Sequence, residues 1–364
     1  VNVGDCNKVL SVWTKTRNRK DGPPRALGLL KQMMELYKEN GNESVRPSVD
    51  TFNFVIDAFA QIGDIKNSSL VFNMQVNDVQ MKQNVKAKPN KSTFRNMIYA
   101  CSKSRSKNAP TIAKELLTTM INWHEKGELK DRPNEVLYIT AMNVCARNGD
   151  ITRATSILQL MENNMKKVSY LKAYSILINA WSKSGKEDAP RQAESILNKL
   201  SNMFVSGTIE EGPNVITYSS VIDTYARHGD IEGACNILGE MEKDFQAGNK
   251  NAKPNIRTYS TLINGWSKSS DVDAPQQAKN VLDKMISSYS NGDLDEAPDT
   301  ITYSSVMNTY AKHGNIKSSD VDAPQQAKNV LDKMISSYSN GDLDEAPDTI
   351  TYSSVMNTYA KHGN

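Results

Sequence analysis

The sequence predicts an all-α solenoid of about nine degenerate helix–turn–helix repeats. Three observations predict it. A phrase that runs Thr217-Tyr218-Ser219-Ser220-Val221-Ile222-Asp223-Thr224-Tyr225-Ala226-Arg227 recurs along the chain. A Pro-x pair precedes most copies, and apolar residues follow each copy at helical spacing. One helix pair cannot bury its apolar stripe alone, whereas stacked pairs can, each touching only its neighbours.

In chain order, the copies start around Cys6-Asn7-Lys8-Val9-Leu10, then at Thr51-Phe52-Asn53, Thr93-Phe94-Arg95, Leu137-Tyr138-Ile139, Ala173-Tyr174-Ser175, Thr217, Thr258, Thr302 and Thr351. The pairs before them are Pro47-Ser48, Pro89-Asn90, Pro133-Asn134, Pro213-Asn214, Pro254-Asn255, Pro298-Asp299 and Pro347-Asp348. This divides residues 1–364, read as a single solenoid, into units 3–48, 49–90, 91–134, 135–170, 171–214, 215–255, 256–299 and 300–348, with a partial unit 349–364. Each first helix is bounded by the proline before it and often by a glycine after it (Gly63, Gly149, Gly229, Gly314). Second helices alternate. Odd units place a proline in the first turn, as in Ala189-Pro190 and Ala274-Pro275. Even units open with Gly-Asp-Ile, and Ile231, Ala234, Leu238 and Met241 then fall on one helical face.

The eighth unit breaks the alternation. Residues 268–315 and 317–364 are identical over 48 positions. The join within Lys317-Ser318-Ser319 reads as a recent crossover or an error of sequence assembly. Tyr303 to Pro324 is 21 positions, against 16 from Tyr259 to Pro275. A longer or irregular inter-helix loop is therefore expected at 315–323.

Bulk properties exclude more than they select. No apolar run is long enough to span a membrane. Cys6, Cys101, Cys145 and Cys235 lie far apart, without zinc or disulfide spacing, and read as small core residues. A net charge of +3 is too mild to argue for nucleic acid by itself. The chain begins Val1-Asn2-Val3, so it is expected to be a fragment, with any targeting peptide outside it. No paired-carboxylate, Ser/His/Asp or phosphate-loop signature marks an enzyme. His124, His228, His313 and His362 are scattered and read as polar positions near helix ends.

The distribution of polar residues carries more. On the first helix of the sixth unit, Ile216, Ser219, Asp223 and Arg227 share one face, and Tyr218, Val221, Ile222, Tyr225 and Ala226 the opposite one. The column of Arg227 holds Lys15, Gln61, Lys103, Arg147, Lys183, Lys268, Lys312 and Lys361 elsewhere, so eight of its nine members are basic. Stacked units would align them as a track for a phosphate backbone. They would also complement helix C-terminal dipoles, and the two roles are compatible. The column of Ser219 holds Asn7, Asn53, Ser175, Ser260, Ser304 and Ser353, with Arg95 and Ile139 as departures. Short hydrogen-bonding side chains there could read base edges; a solvated helix face accounts for them as well.

The Thr-Tyr-Ser/Asn opening, the apolar pair after it, the aromatic-small-basic ending and the closing Pro-Asn or Pro-Asp together resemble the pentatricopeptide repeat family, over essentially the whole chain. The resemblance implies a right-handed superhelical solenoid that binds single-stranded RNA, one nucleotide per repeat, with the N-terminus toward the RNA 5′ end. It attributes base choice to the polar residue after the aromatic and the residue after the closing proline. Carried over, Asn7 with Ser48 and Asn53 with Asn90 imply pyrimidines. Ser175 with Asn214 and Ser219 with Asn255 imply adenine, and Ser260 with Asp299 and Ser304 with Asp348 imply guanine. Arg95 with Asn134, and Ile139 with Tyr170, match no pairing of the family. Val136, Ile216, Ile301 and Ile350 match the apolar residue that flanks each base in the family, where Gly4, Asp50, Ser92, Lys172 and Arg257 stand in other units.

Lys15, Lys103, Arg147, Lys183, Arg227, Lys268 and Lys312 are the candidate backbone contacts. The resemblance also implies action in organellar RNA processing, stability or translation, in a mitochondrion or plastid, without a cofactor or metal, away from membranes and with possible protein partners. A protein-binding helical scaffold is the alternative.

Overall fold

The computed structural model describes residues 2–15, 21–81, 84–165, 170–313 and 322–361, and every regular element among them is helical. The chain falls into two compact bodies, Val1–Ser184 and Gly185–Asn364. The division lies inside the fifth repeat.

The first body contains α1 (Val3–Lys15), α2 (Gly22–Asn40), α3 (Val49–Gln61), α4 (Ile65–Gln80), α5 (Lys91–Lys103), α6 (Ala109–Glu125), α7 (Glu135–Arg147), α8 (Ile151–Asn164) and α9 (Tyr170–Ser184). The first helices α1, α3, α5, α7 and α9 pack each on the next. The second helices α2, α4, α6 and α8 each wedge between the first helix of their own repeat and that of the following one. The second body contains α10 (Ala189–Val205), α11 (Val215–Arg227), α12 (Ile231–Gln246), α13 (Ile256–Lys268), α14 (Ala274–Ser290), α15 (Thr300–His313), α16 (Ala323–Ser339) and α17 (Thr349–Lys361). It repeats the scheme: α11, α13, α15 and α17 pack in series, with α10, α12, α14 and α16 outside them. Each body is thus two layers of helices around one continuous core.

Local sequence explains where the helices start. The residue after each closing proline is the N-cap of the next first helix. Its side-chain oxygen accepts the backbone N–H of the third helical residue: Ser48 from Thr51, Asn90 from Thr93, Asn134 from Leu137, Asn214 from Thr217 and Asn255 from Thr258. A cap of this kind contributes about 1 kcal/mol. The Gly-Asp-Ile second helices are capped by Asp64, Asp150 and Asp230 in the same manner. Those that begin Ala-Pro place the proline in the first turn, where its missing N–H costs nothing.

Gly63 and Gly149 make the turns into α4 and α8 with φ of +71° and +63°. A Cβ on either would also lie 2.8 Å from a backbone carbonyl of the next repeat, Lys103 or Lys183. Both the backbone sign and the close approach therefore demand glycine there.

In most first helices one or two buried aromatics pack among aliphatics of the second. Phe52, Phe94, Tyr138, Tyr259 and Tyr303 are fully buried, as are Leu30, Leu117, Leu282 and Met241. Each such side chain contributes roughly 1.5–3 kcal/mol by leaving water. Cys6, Cys101 and Cys145 are buried, Cys235 is half-buried, and all four are free thiols. Burial pushes the thiols of Cys101 and Cys145 up to about 12. Among the described residues no helix is long and apolar enough to cross a membrane, and no cluster of metal-ligating side chains forms.

Tyr170 departs from its assigned place. It is the first residue of α9, with its ring stacked on Tyr174 at 6.0 Å, instead of a residue that precedes the helix. The irregular loop expected at 315–323 falls mostly outside the described residues. Only its end is described, where Asp322 caps α16 by accepting the N–H of Gln325.

Candidate nucleic-acid interface

The face opposite the core of the first helices is built from three levels: an aliphatic residue in the first turn of four of them, a polar residue one turn on in most, and a cation at the end of all but α3. Val136, Ile216, Ile301 and Ile350 stand 64%, 65%, 73% and 64% exposed with no core to enter. Exposed aliphatic side chains repeated at one position supply flat apolar contacts that a base could use. The polar level is half-buried at Asn7, Ser175, Ser219, Ser260 and Ser304, buried at Asn53, and exposed at Ser353. Arg95 in the same column is exposed and Ile139 half-buried.

The structure joins these polar residues to the helix caps of the following repeat. Thr51 Oγ1 donates to Asn7 Oδ1 at 2.8 Å, and Asn7 Nδ2 donates to Ser48 Oγ at 3.4 Å. Thr93 Oγ1 donates to Asn53 Oδ1 at 2.7 Å, and Asn53 Nδ2 donates to Asn90 Oδ1 at 3.3 Å. In the second body, Ser219 Oγ lies 3.3 Å from Thr258 Oγ1, which donates to Asn255 Oδ1 at 3.0 Å. Ser260 Oγ lies 3.2 Å from Thr302 Oγ1, which donates to Asp299 Oδ1 at 2.5 Å. Ser304 Oγ lies 3.2 Å from Thr351 Oγ1, which donates to Asp348 Oδ1 at 2.6 Å. The two members of each pair, some 40 residues apart in sequence, are thus held together by one threonine.

These threonines are the residues that sequence reasoning passed over. Thr51, Thr93, Thr258, Thr302 and Thr351 are all 2% exposed or less. The spacing Pro-Asn-x-x-Thr, which places a threonine at the third helical residue after a cap, was the available signal. Thr351 also shapes the charge of its partner. Its hydroxyl and amide hold the Asp348 carboxyl below the usual carboxylate range, so the anion is lost only when the pH falls through that lowered value.

Repeats three and four lack the link. Leu137 and Ala173 occupy the threonine position, both buried. Arg95 sends its guanidinium to Asn96 at 3.5 Å, and Asn134 caps α7 by accepting only the N–H of Leu137, at 3.2 Å. Ser175 returns its hydroxyl to Leu171 O at 2.6 Å. Asn214 caps α11 by accepting the N–H groups of Ile216 and Thr217.

The cation level is exposed at Lys103, Arg147, Lys183, Arg227, Lys268 and Lys312, while the side chain of Lys15 lies outside the described residues. Several cations also close the helix end of the preceding repeat. Arg147 Nη2 approaches Cys101 O at 3.5 Å, and Lys361 Nζ donates to Ala311 O at 2.8 Å. Lys312 Nζ donates to Ser267, Lys268 and Ser269 carbonyls at 3.1, 3.2 and 3.4 Å. Those carbonyls are the negative ends of helix dipoles, so the column has a structural role within the stack as well as an exposed charge. Arg227 pairs with Asp223 on its own helix at 2.7 Å, and Lys103 lies over the Tyr99 ring. Between α11 and α13 the surface opens into a cavity of about 560 Å³ lined by Asp223, Arg227, Thr261, Asn264 and Lys268. A second, of about 440 Å³, brings Asn255, Arg257 and Ser260 beside Asp295 and Glu296.

Helix pairs packed in series, with recurring polar, aliphatic and basic positions on one face of the first helices, define an α-helical repeat protein. Comparison with known families agrees on the type of repeat. The family model described as the pentacotripeptide-repeat region of PRORP matches residues 123–297. The pentatricopeptide repeat domain matches residues 1–62, and the PPR repeat residues 301–320. The chain is a pentatricopeptide repeat protein.

A curated pentatricopeptide repeat-containing protein of Arabidopsis thaliana is 24% identical over 218 residues, which are 58% of this chain and 58% of that protein. The chain therefore spans less than two thirds of the relative it matches. Among solved structures, the maize pentatricopeptide repeat protein PPR10 is similar at 19% identity and a TM-score of 0.43, over 100% of this chain and 52% of that one. The PPR domain of Arabidopsis thaliana protein-only RNase P 1, solved in complex with tRNA, is similar at 16% identity and a TM-score of 0.42, over 62% of this chain and 98% of that one.

Proposed function

We propose that this chain binds single-stranded RNA through the polar faces of its first helices, one repeat to one nucleotide. The observation that carries the reading is the paired polar residue and helix cap, linked by a buried threonine and repeated in repeats one, two, six, seven and eight. A fold needs the cap; it does not need the partner polar residue at the same place in repeat after repeat. Exposed aliphatic residues beside the pairs give apolar surface for bases, and the cation column gives charge for phosphates.

From the 5′ end, the pairs specify pyrimidine, pyrimidine, any, any, adenine, adenine, guanine, guanine. Family membership supports a role in organellar RNA processing, stability or translation, in a mitochondrion or plastid.

Salt dependence tests the reading against a protein-binding scaffold. Affinity for a matching RNA falls steeply with salt, by about 0.7 decades per phosphate contact for each decade of salt. Alanine at Lys183, Arg227 and Lys268 together weakens all RNAs alike and lowers that slope by about 2. A flat salt dependence, or RNA affinity no better than that of an unrelated basic protein, contradicts the reading and favours a protein partner.

A further inference from the structure

We infer that the buried threonine behind each pair is a specificity-determining position: its single hydroxyl proton fixes which atoms of the pair are left to donate and which to accept. This rests on the RNA-binding reading above and deepens it. The threonine itself touches no base.

A hydroxyl donates once. Behind the seventh and eighth pairs the proton goes to a carboxylate, which can only accept: Thr302 to Asp299 at 2.5 Å and Thr351 to Asp348 at 2.6 Å. Ser260 and Ser304, each 3.2 Å from the threonine oxygen, must then donate to it. That leaves the serine oxygen and the second carboxylate oxygen as acceptors. Two acceptors suit the Watson–Crick edge of guanine, which offers a ring N–H and an amino group.

Behind the sixth pair, Asn255 Oδ1 receives both the N–H of Thr258 at 3.1 Å and its hydroxyl at 3.0 Å. The backbone donor settles which way the amide faces, so Nδ2 remains as a donor. Ser219, 3.3 Å from Thr258 Oγ1, donates to it and keeps an acceptor. One donor and one acceptor suit adenine.

Behind the first two pairs the proton runs the other way, from Thr51 to Asn7 Oδ1 at 2.8 Å and from Thr93 to Asn53 Oδ1 at 2.7 Å. The asparagine carbonyl is occupied, and its amide nitrogen keeps a second hydrogen for a carbonyl such as those of pyrimidines. One buried hydroxyl thus yields different faces because the residues around it differ in what they can accept.

The decisive comparison is Thr302→Val against Thr302→Ser in the full chain. Valine keeps the shape and burial and removes the proton; serine keeps the proton. Binding is measured by fluorescence anisotropy at fixed salt to four RNAs that differ only at the seventh base. Wild type and Thr302→Ser prefer guanine there. Thr302→Val loses about tenfold of its preference for guanine over adenine, within the range of one base-edge contact. It keeps its preference at the eighth base, which reports an intact stack.

Full guanine preference in Thr302→Val overturns the inference. A wild-type chain that binds RNA with no preference at the seventh base overturns the pair assignment itself, and the inference with it. Should Thr302→Val lose the eighth preference too, the same reading moves to Thr258→Val, where adenine preference at the sixth base must fall; an unchanged preference there overturns the inference.

Discussion

Repeats three and four share their helix pairs with repeats six to eight but not their polar link. Both regions pack equally well: Cys101, Val144 and Cys145 are as buried in the first as Val221, Leu262 and Val306 are in the second. The difference lies in the polar column, where Arg95 and Ile139 stand, and at one buried position behind it. Threonine there joins the polar residue of one repeat to the cap of the next; Leu137 and Ala173 fill the same space and join nothing. Packing asks only for a side chain of tolerable volume at that place, whereas a hydrogen-bonded pair asks for a hydroxyl. A repeat can therefore keep its fold and lose its pair.

The largest effect expected from breaking this comparison is a gain of function. Arg95→Asn with Leu137→Thr rebuilds in the third repeat the arrangement of Asn53, Thr93 and Asn90 in the second. The third base then moves from unselected to a pyrimidine preference of about tenfold, within the range measured for single base contacts. Binding to RNAs that vary only at the third base checks it. No preference in a folded double variant would break the tie between the threonine link and selection.

A smaller effect separates the two kinds of cap. Asn134 accepts one backbone N–H, while Asn90 accepts the N–H of Thr93 and the amide of Asn53. Asn134→Ala costs about 1 kcal/mol of local stability and Asn90→Ala roughly 2 kcal/mol. Amide exchange in the first turns of α7 and α5 is the appropriate measure, because a repeat stack opens locally. Equal losses would mean that the link to Asn53 adds nothing to the cap.

The helices were legible in the sequence because proline, glycine and capping residues punctuate them at recurring places. Pro47-Ser48 and Pro89-Asn90 announce helices at Val49 and Lys91, and Gly63 announces a turn. Repeat four lacks the proline, and there the assigned boundary missed: Tyr170 lies inside α9. The faces were legible too, since Tyr218, Val221 and Ile222 are buried and Ile216 and Arg227 exposed.

What the linear sequence hid was lateral. Thr258 contacts Ser219 across 39 positions, and Lys312 reaches the carbonyl end of the preceding repeat's helix. Identical sequences make the same point. Tyr303 and Met307 of α15 are fully buried, while their copies in α17, Tyr352 and Met356, are 49% and 67% exposed. Among the described residues α15 packs against α13, α14, α16 and α17, and α17 against α15 and α16. Neighbours, not local sequence, decide that burial.

The account is tested most directly by selecting the RNAs that this chain retains from a random single-stranded pool and sequencing them. It predicts an enriched element that reads, from the 5′ end, two pyrimidines, two unselected positions, two adenines and two guanines. A recovered pool without positional preference, or one in which the third and fourth bases are as sharply chosen as the seventh and eighth, would contradict it.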